Sequence, residues 1–113
     1  MTLTAVKATK MVGTGASVSA TNLTATAGNA IIVGVTGYSD NANPPNSSCT
    51  RTGDTFTNDN VVGASSTSSN RAGLAIWSAP NVVAGPATLT TGIGSANGMS
   101  AFALEVSGPP SSA

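Results

Sequence analysis

Ala30-Ile31-Ile32-Val33-Gly34-Val35-Thr36 is the stretch that decides the fold. It is apolar at almost every position, rich in β-branched side chains and only as long as a strand, whereas a helix of comparable apolarity runs for about ten residues or more. A strand apolar at consecutive positions is one covered on both faces, so the run predicts a central strand of a packed sheet. Just ahead of it, Ala27-Gly28-Asn29 is a turn signal. Before that turn, Ser17-Val18-Ser19-Ala20-Thr21 alternates at period two and continues through Leu23 and Ala25, a second strand.

Working outward, Thr2 to Met11 alternates loosely and reads as a first strand or an extended arm, broken by Gly13 and Gly15. Ser39 to Ser48 collects Asp40, asparagines, serines and Pro44-Pro45, which would remove two ladder donors, so it reads as a surface loop. Cys49-Thr50-Arg51 and Thr55-Phe56-Thr57 flank Gly53-Asp54 as a short hairpin or kinked strand, Val61 to Ala64 is edge-like, and Ser65 to Asn70 reads as a second polar loop. Ala72 to Ala79 sets Leu74 and Ile76 on one face and Ala75 and Trp77 on the other, before Pro80-Asn81 ends it. Ala87 to Thr91 and Met99 to Val106 complete the set, the last placing Phe102, Leu104 and Val106 opposite Ala101, Ala103 and Glu105.

The composition agrees with this reading. Thr, Ser, Gly and Val dominate, the strong helix formers are scarce, and aromatics make up only 4%. Seven or eight short strands and no helix imply an all-β fold, a two-sheet antiparallel sandwich of immunoglobulin-like or jelly-roll type. With 113 residues there is room for one core. Residues 1–16 are then an N-terminal strand or assembly arm, 17–108 the sandwich, and 109–113 a flexible tail.

Charge excludes several functions. Only 7% of residues are charged, with Lys7, Lys10, Arg51 and Arg71 balancing Asp40, Asp54, Asp59 and Glu105. No basic field exists to gather phosphates, so nucleic acid is not an expected partner. The N-terminus lacks a signal-peptide pattern and no apolar run is long enough for a bilayer helix, so no membrane partner is expected either. Cys49 is the single cysteine, which rules out an internal disulfide and leaves it the part of a small apolar residue.

The candidate chemistry is thin. Histidine is absent, which removes the usual nucleophile triads and most zinc sites. Asp54, Asp59 and Glu105 are the carboxylates from which a hydrolytic pair would have to come, but each fits a turn or a strand-face charge better. Asp40-Asn41-Ala42-Asn43 and Asn58-Asp59-Asn60 are rich in oxygen yet lack a calcium-loop spacing and read as turns. Gly13-Thr14-Gly15-Ala16 resembles part of a phosphate loop without its Lys-Ser/Thr or its helix, and is also expected to be a turn. Lys7 or Lys10 with Asn97 and Glu105 has the composition of a lysine–asparagine cross-link, against which solvated lysines are the simpler expectation. Trp77 and Tyr38 could form an aromatic platform, but Trp77, alternating with apolar neighbours, is expected to pack between sheets. No catalytic, cofactor-binding or metal-binding residue is assigned, and the chain is expected not to be an enzyme.

Several pieces together resemble a β-sandwich domain that recurs in bacterial surface proteins and phage structural proteins. They are Ala27-Gly28-Asn29 leading into Ile31 to Val35, Gly53-Asp54-Thr55-Phe56, Ile76 to Val82, Ala84-Gly85, and Leu104-Glu105-Val106-Ser107-Gly108, within Ser17 to Gly108; Pro44-Pro45 and the short Cys49 segment depart from it. The resemblance implies a module on a particle or cell surface and transfers no catalytic residue. The expected function is a non-enzymatic virion structural protein, a phage capsid decoration subunit that binds capsid or other particle protein and its own copies as a homo-oligomer, a trimer first. It would be assembled in the host cytoplasm. The alternative is an extracellular bacterial surface or filament adhesion module for carbohydrate or protein. Weakly charged strand edges support assembly, with Thr2 to Met11 hinged at Gly13 and Gly15 as the arm.

Overall fold

A computed structural model describes residues 3–15, 17–39, 47–67, 70–93 and 96–108. These hold eight strands and, among the described residues, no helix: β1 (Thr4–Gly15), β2 (Val18–Ala25), β3 (Ala30–Ser39), β4 (Ser47–Arg51), β5 (Thr57–Thr67), β6 (Asn70–Ala79), β7 (Gly85–Ile93) and β8 (Ala96–Ser107). Five strands form one sheet in the order β1-β8-β3-β6-β5, and three form the other in the order β2-β7-β4. Every pairing is antiparallel, so the protein is a two-sheet sandwich.

The winding is that of a jelly roll. β1 pairs with β8, β2 with β7 and β3 with β6, as when one long hairpin is folded over itself. At the tip the regular pattern breaks: β4 stays in the smaller sheet while β5 crosses over and pairs with β6 in the larger one.

β3 is central, as its apolar run predicts, but among the described residues only one of its faces is fully buried. Ile31, Val33 and Val35 are essentially inaccessible, whereas Thr36 and Tyr38 on the other face are exposed and Ile32 is half-buried. The neighbouring strands repeat the asymmetry in a direction that apolar alternation alone does not give. β8 turns Met99, Ala101 and Ala103 inward and Phe102 outward, and β6 turns Ala75 and Ala79 inward and Leu74 and Ile76 outward. The broad β-branched side chains of β3 fill the centre of the interior, and alanines beside them leave room for Leu89 of the opposite sheet.

Three local expectations are corrected. β1 does not stop at Gly13 but continues to Gly15, with a register shift between those glycines, because a bulge absorbs what would otherwise end the strand. β5 starts at Thr57 and therefore includes Asn58-Asp59-Asn60 as strand rather than turn, again with a register shift, here at Asp59. The polar stretch from Ser65 is also strand up to Thr67, and β6 resumes at Asn70, because an edge ladder is held by backbone pairing that serine and threonine supply as well as any residue. Asp40 to Asn43, Pro44-Pro45 and the tail 109–113 lie outside the described residues.

Leu89 is wholly buried at the centre of the smaller sheet. Leu89→Ala is expected to lower the unfolding free energy by about 2–5 kcal/mol, read from urea denaturation followed by Trp77 fluorescence.

Candidate functional site

The densest polar cluster lies where the chain leaves β4 for the larger sheet. Arg51, the last residue of β4, is buried together with its ion-pair partner Asp54, three residues on. Between them Gly53 takes a φ of +90°, open to glycine at no steric cost, and a Cβ there would come within 2.9 Å of Val83. The turn closes with the Asp54 amide donating to the Arg51 carbonyl at 3.0 Å.

From this corner the guanidinium reaches across the end of the smaller sheet. Nη2 donates to the Leu23 carbonyl of β2 at 3.1 Å and to the Gly85 carbonyl of β7 at 2.6 Å, and Nη1 reaches the Val83 carbonyl at 3.4 Å as well as Asp54. The second carboxylate oxygen of Asp54 accepts the Val83 amide at 2.8 Å. One ion pair thus ties three separate chain segments.

Glu105 does similar work from β8. It is buried, and its Oε1 accepts the Thr26 amide and the Asn29 side-chain amide, each at 2.8 Å, holding the β2–β3 turn against the larger sheet. That turn is joined in turn to the β6–β7 connection by the Gly28 amide on the Val82 carbonyl and the Val82 amide on the Asn29 carbonyl. These bonds fix the corners at this end of the sandwich.

The remaining candidates are dispersed. Asp59 is exposed at the β5 bulge, apart from the bonded sets of Asp54 and Glu105, and among the described residues no three of Cys, Asp and Glu come together. Lys7 stands opposite Glu105 in the β1–β8 register but extends to the Thr24 carbonyl at 3.5 Å, and Lys10 stands opposite Phe102 on the other face. The side chain of Asn97 lies outside the described residues. Gly13 and Gly15 belong to the β1–β8 ladder rather than to a turn. Trp77 packs against the core and donates to Ser47 Oγ at 2.7 Å, whereas Tyr38 is on the outer face, so the two make no platform. Cys49 is buried beside Thr91.

The surface that sequence reasoning did not single out is the outer face of the larger sheet. In register across it run Lys10, Phe102, Gly34 and Ile76, then Val12, Ser100, Thr36 and Leu74, then Gly98, Tyr38 and Ala72. Phe102 is 51% exposed, Leu74 41% and Ile76 38%. The Phe102 ring lies across Gly34, whose position admits no side chain unless the ring moves: a Cβ would meet it at 2.5 Å. Beside this ridge is an open groove of about 590 Å³ lined by Thr36, Gly37, Tyr38, Leu74, Gly98 and Ser100. The outer face of the smaller sheet is the opposite in character, with Ser19, Thr90 and Thr50 aligned across its strands and Ser19 bonded to Thr90 at 2.9 Å.

Compared with protein-family models, with curated proteins and with solved structures, the chain has no significant match.

Two outcomes follow from the buried groups. Asp54→Ala leaves the Arg51 guanidinium buried without its counter-ion, and is expected to cost about 3–5 kcal/mol of stability, measured by chemical denaturation. Burial pushes the Cys49 thiol up from 9.0 to about 12, against the hydrogen bond with Thr91 that lowers it. The unfolded chain therefore loses this proton near pH 9 while the folded chain keeps it, so the thiol's contribution to stability is intact below pH 9.0 and drains away as pH rises toward about 12. The melting temperature should fall above pH 9 more steeply in the native sequence than in Cys49→Ala, and a thiol reagent at neutral pH should label Cys49 only after denaturation.

Proposed function

We propose that this protein is a non-enzymatic structural subunit of a virion surface, a decoration subunit that seats on capsid protein and beside its own copies. The observation that carries the reading is the apolar outer face of the five-stranded sheet, where Lys10 is the one charge among the aligned side chains described above. A sheet face that is to remain in water is normally hydroxylated or charged, as the smaller sheet's is, and a contiguous exposed apolar patch marks a contact surface. The resemblance of Ile76 to Val82 and of Leu104 to Gly108 to particle-surface modules supports the setting. The inward commitment of Arg51, Asp54 and Glu105 to corner hydrogen bonds is in keeping with a structural part.

The test is made on purified native particles. Mass spectrometry should find the chain at fixed stoichiometry to the capsid protein, and imaging should place it on the outer surface. Chain carrying Phe102→Lys should fold with an unchanged melting temperature but fail to copurify with particles. Particles free of the chain would overturn the reading.

A further inference from the structure

β3 has the sequence of a strand covered twice and the surroundings of a strand covered once. Its inner row, Ile31, Val33 and Val35, faces the smaller sheet; opposite, the Phe102 ring lies over Gly34, Ile32 is half-buried, and Thr36 and Tyr38 are exposed. The same holds for the outward Leu74 and Ile76 of β6 and for Phe102 of β8, which are larger than the alanines those strands send inward. We infer that these exposed side chains are covered by the outer face of a second copy, so that the protein forms a two-fold dimer in which the larger sheets pack face to face. The inference rests on the reading of that face as a contact surface and assigns it to the contact between copies, so that the dimer meets the capsid by another of its surfaces.

Three properties of the face favour another copy over a different partner. The first is size. Five strands of 10–12 residues, set about 4.8 Å apart and rising about 3.3 Å per residue, present roughly 800 Å². A specific interface of ordinary size takes about 800 Å² from each partner. The second is charge. The chain's formal net charge is zero, and the aligned outer side chains carry only Lys10, toward the β1 edge, so two such faces approach without repulsion between their centres.

The third is shape. Along β8 the outward positions run Phe102, Ser100, Gly98: a ridge, a small residue and a gap. A Cβ at Gly98 would meet nothing within 4 Å, which is the open end of the groove flanked by Tyr38 and Leu74. A two-fold axis lying across the strands along the row of Ser100, Thr36 and Leu74 exchanges the Phe102 row with the Gly98 row. Each Phe102 ring then sits over the other copy's Gly98, and both grooves are filled at once. That is the self-complementarity an isologous interface demands. Aligned packing of two sheets about 10 Å apart is also the ordinary way sheets bury such side chains.

Sedimentation equilibrium on the purified 113-residue chain should give twice the 10.9 kDa of a single chain in the micromolar range. Phe102→Lys should reduce it to the single-chain mass. So should Gly98→Leu, which fills the gap from the receiving side and, having open space for its side chain, keeps the melting temperature of the fold. Thr90→Lys on the hydroxylated face should leave the dimer intact. Because a residue on the axis faces its own copy across about 10 Å, a short bis-maleimide should join Ser100→Cys chains into covalent dimers and leave Thr90→Cys chains single. A native chain at single-chain mass, a dimer that survives both Phe102→Lys and Gly98→Leu, or equal cross-linking of the two cysteine variants would each overturn the inference. A single-chain subunit found on particles would overturn the dimer and leave the proposed function standing; a dimer absent from particles would do the reverse.

Discussion

The guanidinium of Arg51 holds the point at which the chain changes sheets. A jelly roll whose fifth strand leaves its usual neighbour must turn a corner at the end of β4, and that corner has few side chains large enough to fill it. Arg51 serves both needs. Its stem continues the buried face of β4, and its planar head gathers the carbonyls of Leu23 in β2, Val83 in the β6–β7 connection and Gly85 at the start of β7. Asp54 neutralises it and at the same time binds the Val83 amide. With Glu105 holding the neighbouring turn, the corners at this end are specified by directional bonds rather than by bulk. A core built largely of Val and Ala, with only Phe56 and Trp77 packed against it as aromatics, has little bulk to specify them with.

That economy of large side chains makes their placement informative. The molecule has two phenylalanines, one tyrosine and one tryptophan. Phe102 and Tyr38 lie on the outside of the larger sheet while alanines occupy the inside of the strands beside β3. Burying Phe102 inward in place of an alanine would overfill an interior already set by Ile31, Val33, Val35 and Leu89. Its outward direction is therefore consistent with packing inside, and also with a surface that is to be covered from outside.

Much of the fold was legible because its decisive segments combine strand-length apolar runs with turn residues. Ala30 to Thr36, Ala72 to Ala79 and Met99 to Val106 were read as strands, and Pro80-Asn81 as the end of one. The errors share a cause. Gly13 and Gly15 and the Asn58-Asp59-Asn60 triplet were read as breakers, yet each sits at a register shift where a strand continues through an irregularity that local composition does not distinguish from a turn. The ion pair at the corner was half visible: Asp54 was read as a turn residue, but nothing local in Cys49-Thr50-Arg51 says that an arginine will run inward. The outer face could not be read at all, since alternation tells which side chains share a face but not which face meets the other sheet.

The first and last strands of this fold are neighbours, with Thr4 beside Ser107 and β8 inserted between β1 and β3. During synthesis the larger sheet lacks its second strand until β8 has left the ribosome. Until then β1 has no partner in the sheet, and one side of β3 is an open edge. The larger sheet therefore closes only after β8 has been made, and a chain lacking β8 is the form most exposed to mispairing with others.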